Sequence, residues 1–234
     1  MPPLTRPRIV AAAIDLIERE GADAVSMRRI AADLGVGAMS LYNHVSSKAA
    51  LLDAVAEFVL SQISFTDDPG DAWTERVRVQ ARAVRQIAHD YPRSTMLVMS
   101  RPVRSPAGLF PLERALATLR EAGFSGEDAV RVVRTFIAYL VGSLMREVGV
   151  TPAFAPVHDS EDGHLAEVDA TLFPQVGALA SLLVARDHEE AFEYGLDLLI
   201  RAIALQLQDS ARLQGPAATR PKESTAAKEG SARG

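Results

Sequence analysis

Two glycines, Gly35 and Gly37, constrain this chain most, because they interrupt an otherwise helical stretch, SMRRIAADLGVGAMSLYNHVSSK, that runs from Ser26 to Lys48. Ser26 is a good N-cap, and Ile30, Ala31 and Leu34 give the helix after it one apolar stripe. That helix is expected to stop at Gly35, which enters the left-handed region without steric cost. Val36 then plugs the angle and Gly37 lets the chain turn again. A second short helix, about residues 38–44, is anchored inward by Leu41 and Val45. Met39, Ser40, Tyr42, Asn43 and His44 are left outside, a face with no formal charge apart from any on His44. A solvated structural helix would carry Lys, Glu and Arg there. Hydroxyls, an amide and apolar groups are what base edges and the thymine methyl meet in the major groove. Two readings stand on these residues alone: a DNA-reading helix-turn-helix and an ordinary helical hairpin.

The window also resembles the DNA-binding domain of the TetR family of transcriptional repressors. The resemblance rests on Met27-Arg28-Arg29-Ile30-Ala31, Leu34-Gly35-Val36, Leu41-Tyr42-Asn43-His44-Val45, Lys48 and Leu51-Leu52, and extends from Arg8 to about Val59. It implies that Arg28 reaches a base edge or phosphate from the first motif helix and that Ala38, Met39 and Ser40 lie in the groove. It also implies that Tyr42, His44 and Lys48 contact phosphates. Ala38 and Met39 are small or apolar where relatives often carry amides or proline, so an operator sequence does not carry over. Of these side chains only Arg28 can grip guanine bidentately, a contact worth about 1–3 kcal/mol of discrimination. Tyr42 packed on the first helix and His44 capping a helix end are the structural alternatives.

The 234 residues, 48% of them hydrophobic, suit a small N-terminal module and a larger body with a substantial core. A formal charge of −5 speaks against nucleic acid only at first sight, since DNA senses charge within a Debye length of about 8–10 Å. Arg6, Arg8, Arg28, Arg29 and Lys48 fall within the first 48 residues. This footprint is thin, so tight binding is expected to need two motifs on one duplex. The absence of cysteine excludes disulfides and thiolate chemistry and fits a cytoplasmic protein. The first apolar stretch is broken by Asp15, Glu18 and Arg19, so no signal peptide is expected. No uncharged run approaches the roughly 20 residues of a membrane span.

An all-α fold is expected throughout, with a three-helix reading domain over residues 1–48 and a connecting helix over 49–66. An effector-binding and dimerisation body over 67–210 follows, and then a disordered tail over 211–234. The first helix is expected from Arg8 to Glu20, and the fourth from Lys48 to about Ile63, capped by Ser47. Asp67-Asp68-Pro69-Gly70 marks a break. Beyond it, Trp73, Val77, Ala81, Val84, Ala88 and Tyr91 form one helical stripe, with Arg76, Arg82 and Arg85 off it as a solvated face. Helices through residues 96–99, about 109–122 and about 126–148 follow. The last of these and one at 188–208 are apolar nearly all round. Such helices must be buried on both sides, so they are expected to form a four-helix bundle with a second copy. Between them, TPAFAPVHDSEDGHLAEVD reads as a long polar loop.

Ser100-Arg101-Pro102, Leu172-Phe173-Pro174 and the run Phe192 to Ile200 make the body similar to that of the tetracycline-repressor class. The resemblance implies a small molecule held inside each subunit, moving the connecting helix and changing the separation of two reading heads. The histidines with which such relatives hold a magnesium–tetracycline chelate are replaced by Leu97 and Ala138, so tetracycline is not the expected ligand. The expected cavity lies between the connecting helix and the helices starting near Asp71 and Gly126. Phe58, Gln86, Met96, Met99, Arg101, Phe136 and Tyr139 are its candidate lining, with core packing the alternative for each aromatic or methionine.

No enzyme is expected. His158, Asp159, Glu161, Asp162 and His164 lack rigid metal-ligand spacing, and no GxSxG, GxGxxG or P-loop occurs, so no catalytic residue, metal or cofactor is assigned. A ligand-independent regulator or activator, and a helical enzyme, are the alternative functions.

Overall fold

The computed structural model describes residues 3–101, 105–147, 169–183 and 187–213. The polar loop with its His158–His164 group, and the tail beyond Leu213, lie outside them. Ten α-helices and no strands occur among the described residues: α1 Arg6–Glu20, α2 Met27–Asp33, α3 Ala38–Tyr42, α4 Lys48–Ser61, α5 Trp73–Asp90, α6 Pro92–Met99, α7 Pro106–Glu121, α8 Gly126–Glu147, α9 Pro174–Leu183 and α10 His188–Leu213. The all-α expectation is met. No helix among these residues is long and apolar enough to cross a membrane.

Local chemistry accounts for the ends of the N-terminal helices. The side chains of Thr5, Ser26 and Ser47 accept from the backbone N–H groups of Arg8, Arg29 and Ala50, capping α1, α2 and α4. Gly35 sits at φ 67°, and the N–H groups of Gly35 and Val36 return to the carbonyls of Ala32 and Ala31. This is the doubly bonded helix end that a left-handed glycine permits. Gly37, expected to let the chain turn again, does so at φ −72° and ψ 142°, open to any residue, and precedes α3 without a side-chain cap.

Two apolar clusters organise the chain. The first contains Ile9, Leu16, Ile17, Ile30, Leu41, Leu51, Val55 and Val59, and extends to Ile87, Leu97 and Val98, so α6 closes the core of the N-terminal helices. The second joins Val77, Leu119, Phe124, Val133, Phe136, Phe192, Leu196 and Ile200 from α5, α7, α8, α10 and the turn before α8.

Several elements differ from expectation. The helix expected through residues 96–99 begins at Pro92, because proline's fixed φ starts a helix where its missing N–H costs nothing. α9 was not foreseen, and α10 runs past residue 210 to Leu213. Arg76 and Arg85 do not belong to a solvated face, whereas Arg82 is exposed as expected but ion-paired. Arg76 is buried, bonded to Asp67 and Glu121. Arg78, Arg82 and Arg85 meet Asp197, Glu193 and Glu189 in turn, an antiparallel ladder between α5 and α10. Long arginine stems cross the helix surface to reach acids on a neighbouring helix, which a single-helix projection cannot show.

Candidate nucleic-acid interface and effector site

α3 turns Leu41 fully inward and leaves Met39 79% and Tyr42 47% exposed. Ser40, Asn43, His44 and Lys48 are exposed as well, and Ala38 is half-buried against the first cluster. This outer face is the one expected from the spacing. Neither the Tyr42 hydroxyl nor the His44 imidazole bonds to any described residue.

The electrostatics separate two adjacent arginines. Arg29 donates to Glu20 at 2.8 Å and lies 3.6 Å from Asp33, which also faces Arg19 at 3.8 Å. Arg29 is therefore committed within the protein. Arg28 is exposed and forms no ion pair among the described residues, leaving its five donors available. Glu20 and Asp33 are thus neutralised locally, while Arg28 and Lys48 form no ion pair among the described residues.

The seven expected lining residues fall into different environments. Phe58, on α4, stands edge-on to Tyr91 with centroids 6.1 Å apart. Met96 is half-buried and Met99 is 37% exposed on α6. Arg101 donates to Asp53 Oδ1 at 2.8 and 2.6 Å and to the Ala49 carbonyl, linking the end of α6 to α4. Gln86 bonds to Asp90 on its own helix. Phe136 is buried in the second cluster. Tyr139 donates its hydroxyl to the Phe192 carbonyl, and burial raises its pKa above the ordinary phenol value. A cavity of about 90 Å³ between the α7–α8 turn and the end of α10 is lined by Gly123, Phe124, Ser125, Asp128, Gln206, Leu207 and Ser210, and by none of the seven.

Buried charge in the body escaped the sequence analysis. The Glu147 side chain is 2% exposed; both its oxygens accept from Arg85 Nε at 3.1 Å, and His89 Nε2 lies 2.8 Å away. The Arg85 guanidinium also reaches Glu189 and lies 4.9 Å from the centre of the Phe192 ring. Burial works against its charge, but the bonds to Glu189 and Glu147 hold its pKa above the ordinary arginine value. A carboxylate following the apolar stretch Phe136 to Met145 was the available signal. Asp67 carried none: in the DDPG stretch it reads as a surface turn, yet its side chain has no exposure.

Leu198, Leu205 and Tyr194 on α10, and Ile137 on α8, are 49–67% exposed. These side chains give α8 and α10 an exposed apolar patch among the described residues. α9 buries no residue at all.

Residues 9–55 match the model described as bacterial regulatory proteins, tetR family, and residues 65–207 match the tetracyclin repressor-like C-terminal domain. A transcriptional regulator of helix-turn-helix type from Saccharopolyspora erythraea is 32% identical over 146 residues, 62% of this chain and 62% of that regulator. The chain thus spans less than two thirds of that relative's length. The class A tetracycline repressor of transposon 1721 from Escherichia coli is 32% identical over 218 residues, covering 89% of this chain and 94% of that one. Streptomyces coelicolor ActR, solved in complex with actinorhodin, superposes with a TM-score of 0.75 at 29% identity, covering 88% of this chain and 99% of that one.

Proposed function

The chain belongs to the TetR family of bacterial regulatory proteins, with a C-terminal domain of the tetracycline-repressor type, and from that premise we propose that it is a homodimeric repressor that binds a palindromic operator and is released by a small molecule. The observation that carries the reading is the outer surface of α2 and α3. Met39, Ser40 and Tyr42 are exposed on either side of a buried Leu41, and Arg28 and Lys48 are exposed with no ion pair among the described residues. Residues 1–48 act as the reading head, 49–66 connect, and 67–210 form the body. In the groove, Ala38, Met39 and Ser40 meet base edges, Arg28 a base or phosphate, and Tyr42, His44 and Lys48 phosphates.

Dimerisation is supported by the exposed apolar patch of α8 and α10, which a second copy's same helices would cover around a twofold axis. Two heads then read half-sites about 34–36 Å apart. The effector class is supported by the relatives: ActR has been solved with actinorhodin, and others are named tetracycline repressors. A magnesium–tetracycline chelate does not suit this chain, because Leu97 is buried in the first apolar cluster where such relatives carry a histidine. We assign a mostly apolar effector near Phe58, Gln86, Met96, Met99, Arg101, Phe136 and Tyr139. It releases DNA only by binding more tightly to the conformation whose heads no longer match both half-sites.

The test is binding to the DNA upstream of the chain's own gene, against random duplex, at several salt concentrations. A repressor of this kind prefers an inverted repeat and loses affinity steeply as salt rises. Equal, weak binding to both duplexes would remove the proposal.

A further inference from the structure

The Glu18 carboxylate, on α1, accepts from two backbone N–H groups at the start of α6, Ser94 at 2.8 Å and Arg93 at 3.1 Å. Pro92 opens α6 without an N–H, so these are the helix's first donors, and no intrahelical acceptor exists for them. A carboxylate is the group that such a positive helix end favours. Arg93 reciprocates: its guanidinium Nη1 donates to the carbonyl of Arg19, in the last turn of α1, where carbonyls lack intrahelical partners and a cation is favoured. Each helix end therefore receives the charge that suits its dipole. At the far end of α6, Arg101 is bonded to Asp53 and Ala49 of α4. Between these points, Leu97 and Val98 sit in the core of the N-terminal helices.

Apolar burial is non-directional and tolerates sliding. Hydrogen bonds to fixed backbone donors set a register. We propose that Glu18 and Arg93 form a positioning clamp that makes α6 and the reading head move as one rigid unit, so that a displacement of α6 reaches the head through α1 as well as through α4. The clamp deepens the regulatory reading above, resting on it for its consequence but not for its mechanics.

The chain contains no cysteine, so Ala11→Cys on the exposed side of α1 and Glu127→Cys, 74% exposed at the start of α8, create two unique spin-label sites. The distance between them is measured in the full chain, diluted with unlabelled protein so that only distances within one chain are read. The clamp requires one narrow distance with Glu18 present, and a broadened or displaced one in Glu18→Ala and in Arg93→Ala at unchanged helix content. Glu18→Gln keeps the shape and one acceptor, and carries the test if the alanine variant fails to fold. The same narrow distance in every folded variant overturns the proposal. Inverted-repeat binding is measured in parallel, with Glu18→Ala expected to weaken it about tenfold. If the distance responds while no DNA is bound by any form, the regulatory reading fails and the clamp stands. If DNA is bound and the distance does not move, the clamp fails and the reading stands.

Discussion

Asp67 Oδ2 lies 3.3 Å from Arg76 Nε, in an ion pair whose side chains are 0% and 9% exposed. The same carboxylate accepts from Gln80 at 3.0 Å and from Arg114 at 2.9 Å, while Arg76 reaches on to Glu121 at 2.6 Å. The segment that leaves α4 is thereby pinned to α5 and α7.

Asp67→Ala is expected to cost about 3–5 kcal/mol, because two guanidinium groups lose the anion that compensates their burial. Urea denaturation measures this loss, and a change under 1 kcal/mol would mean that water reaches the site. Burial raises the Asp67 pKa, but the hydrogen bonds from Arg114, Gln80 and Arg76 outweigh it and leave the value below the usual 3.8. A carboxyl that binds its proton less tightly when folded contributes stability above the unfolded-chain value, and that contribution disappears as pH falls through the lower folded value. The wild type should therefore lose more stability than Asp67→Asn between pH 5 and pH 3, as read by thermal unfolding.

Arg28→Ala should cost about 1–3 kcal/mol on the preferred operator and narrow the gap between it and mutated operators. Lys48→Ala should weaken every duplex alike and reduce the salt slope by about one. Arg29→Ala, which removes an arginine committed to Glu20, should affect DNA binding less than Arg28→Ala. Equal losses for all three in a fluorescence-anisotropy titration would contradict these roles.

Leu198→Glu places a charge on the exposed apolar patch of α10, at a side chain already 50% exposed in the single chain. The variant is expected to keep its helix content and sediment as a monomer, since only a second copy makes this position costly to charge. Dimers of undiminished strength would locate the interface elsewhere.

Gly195→Ala should destabilise the body even though alanine is the better helix former by about 1 kcal/mol. A Cβ there would lie 2.7 Å from the ring and hydroxyl of Tyr139, which is held by its bond to the Phe192 carbonyl. The expected net cost is about 1–3 kcal/mol, as for other overpacked sites. Combined with Tyr139→Ala, the substitution should turn neutral or stabilising, a non-additivity that a double-mutant cycle would reveal.

The pattern of apolar residues and caps made most of the reading head legible. Ser26, Gly35, Leu41 and Ser47 play in the structure the local parts their chemistry suggests, because caps and turns depend on neighbours a few residues away. What escaped depends on partners far along the chain. Arg85 looked solvated until Glu147 and Glu189 met it from α8 and α10. Asp67 looked like a turn residue until Arg114 reached it from α7. α9 escaped for a different reason: PQVGALASLL is apolar without a clear stripe, and such a run gives periodicity little to detect. The side chains expected around an effector were chosen by type, and type does not tell a cavity wall from packed core.

The presence of Ile87, Leu97 and Val98 in the first apolar cluster bears on how this protein can be divided. A fragment cut at the Asp67–Gly70 break would carry all of α1 to α4 and still lack part of the wall against which its own interior closes. Exchanging heads between regulators of this type would thus require transplanting the stretch from Ile87 to Val98, beyond the apparent seam, and a chimera joined at that seam would inherit a mismatched lining rather than a portable module.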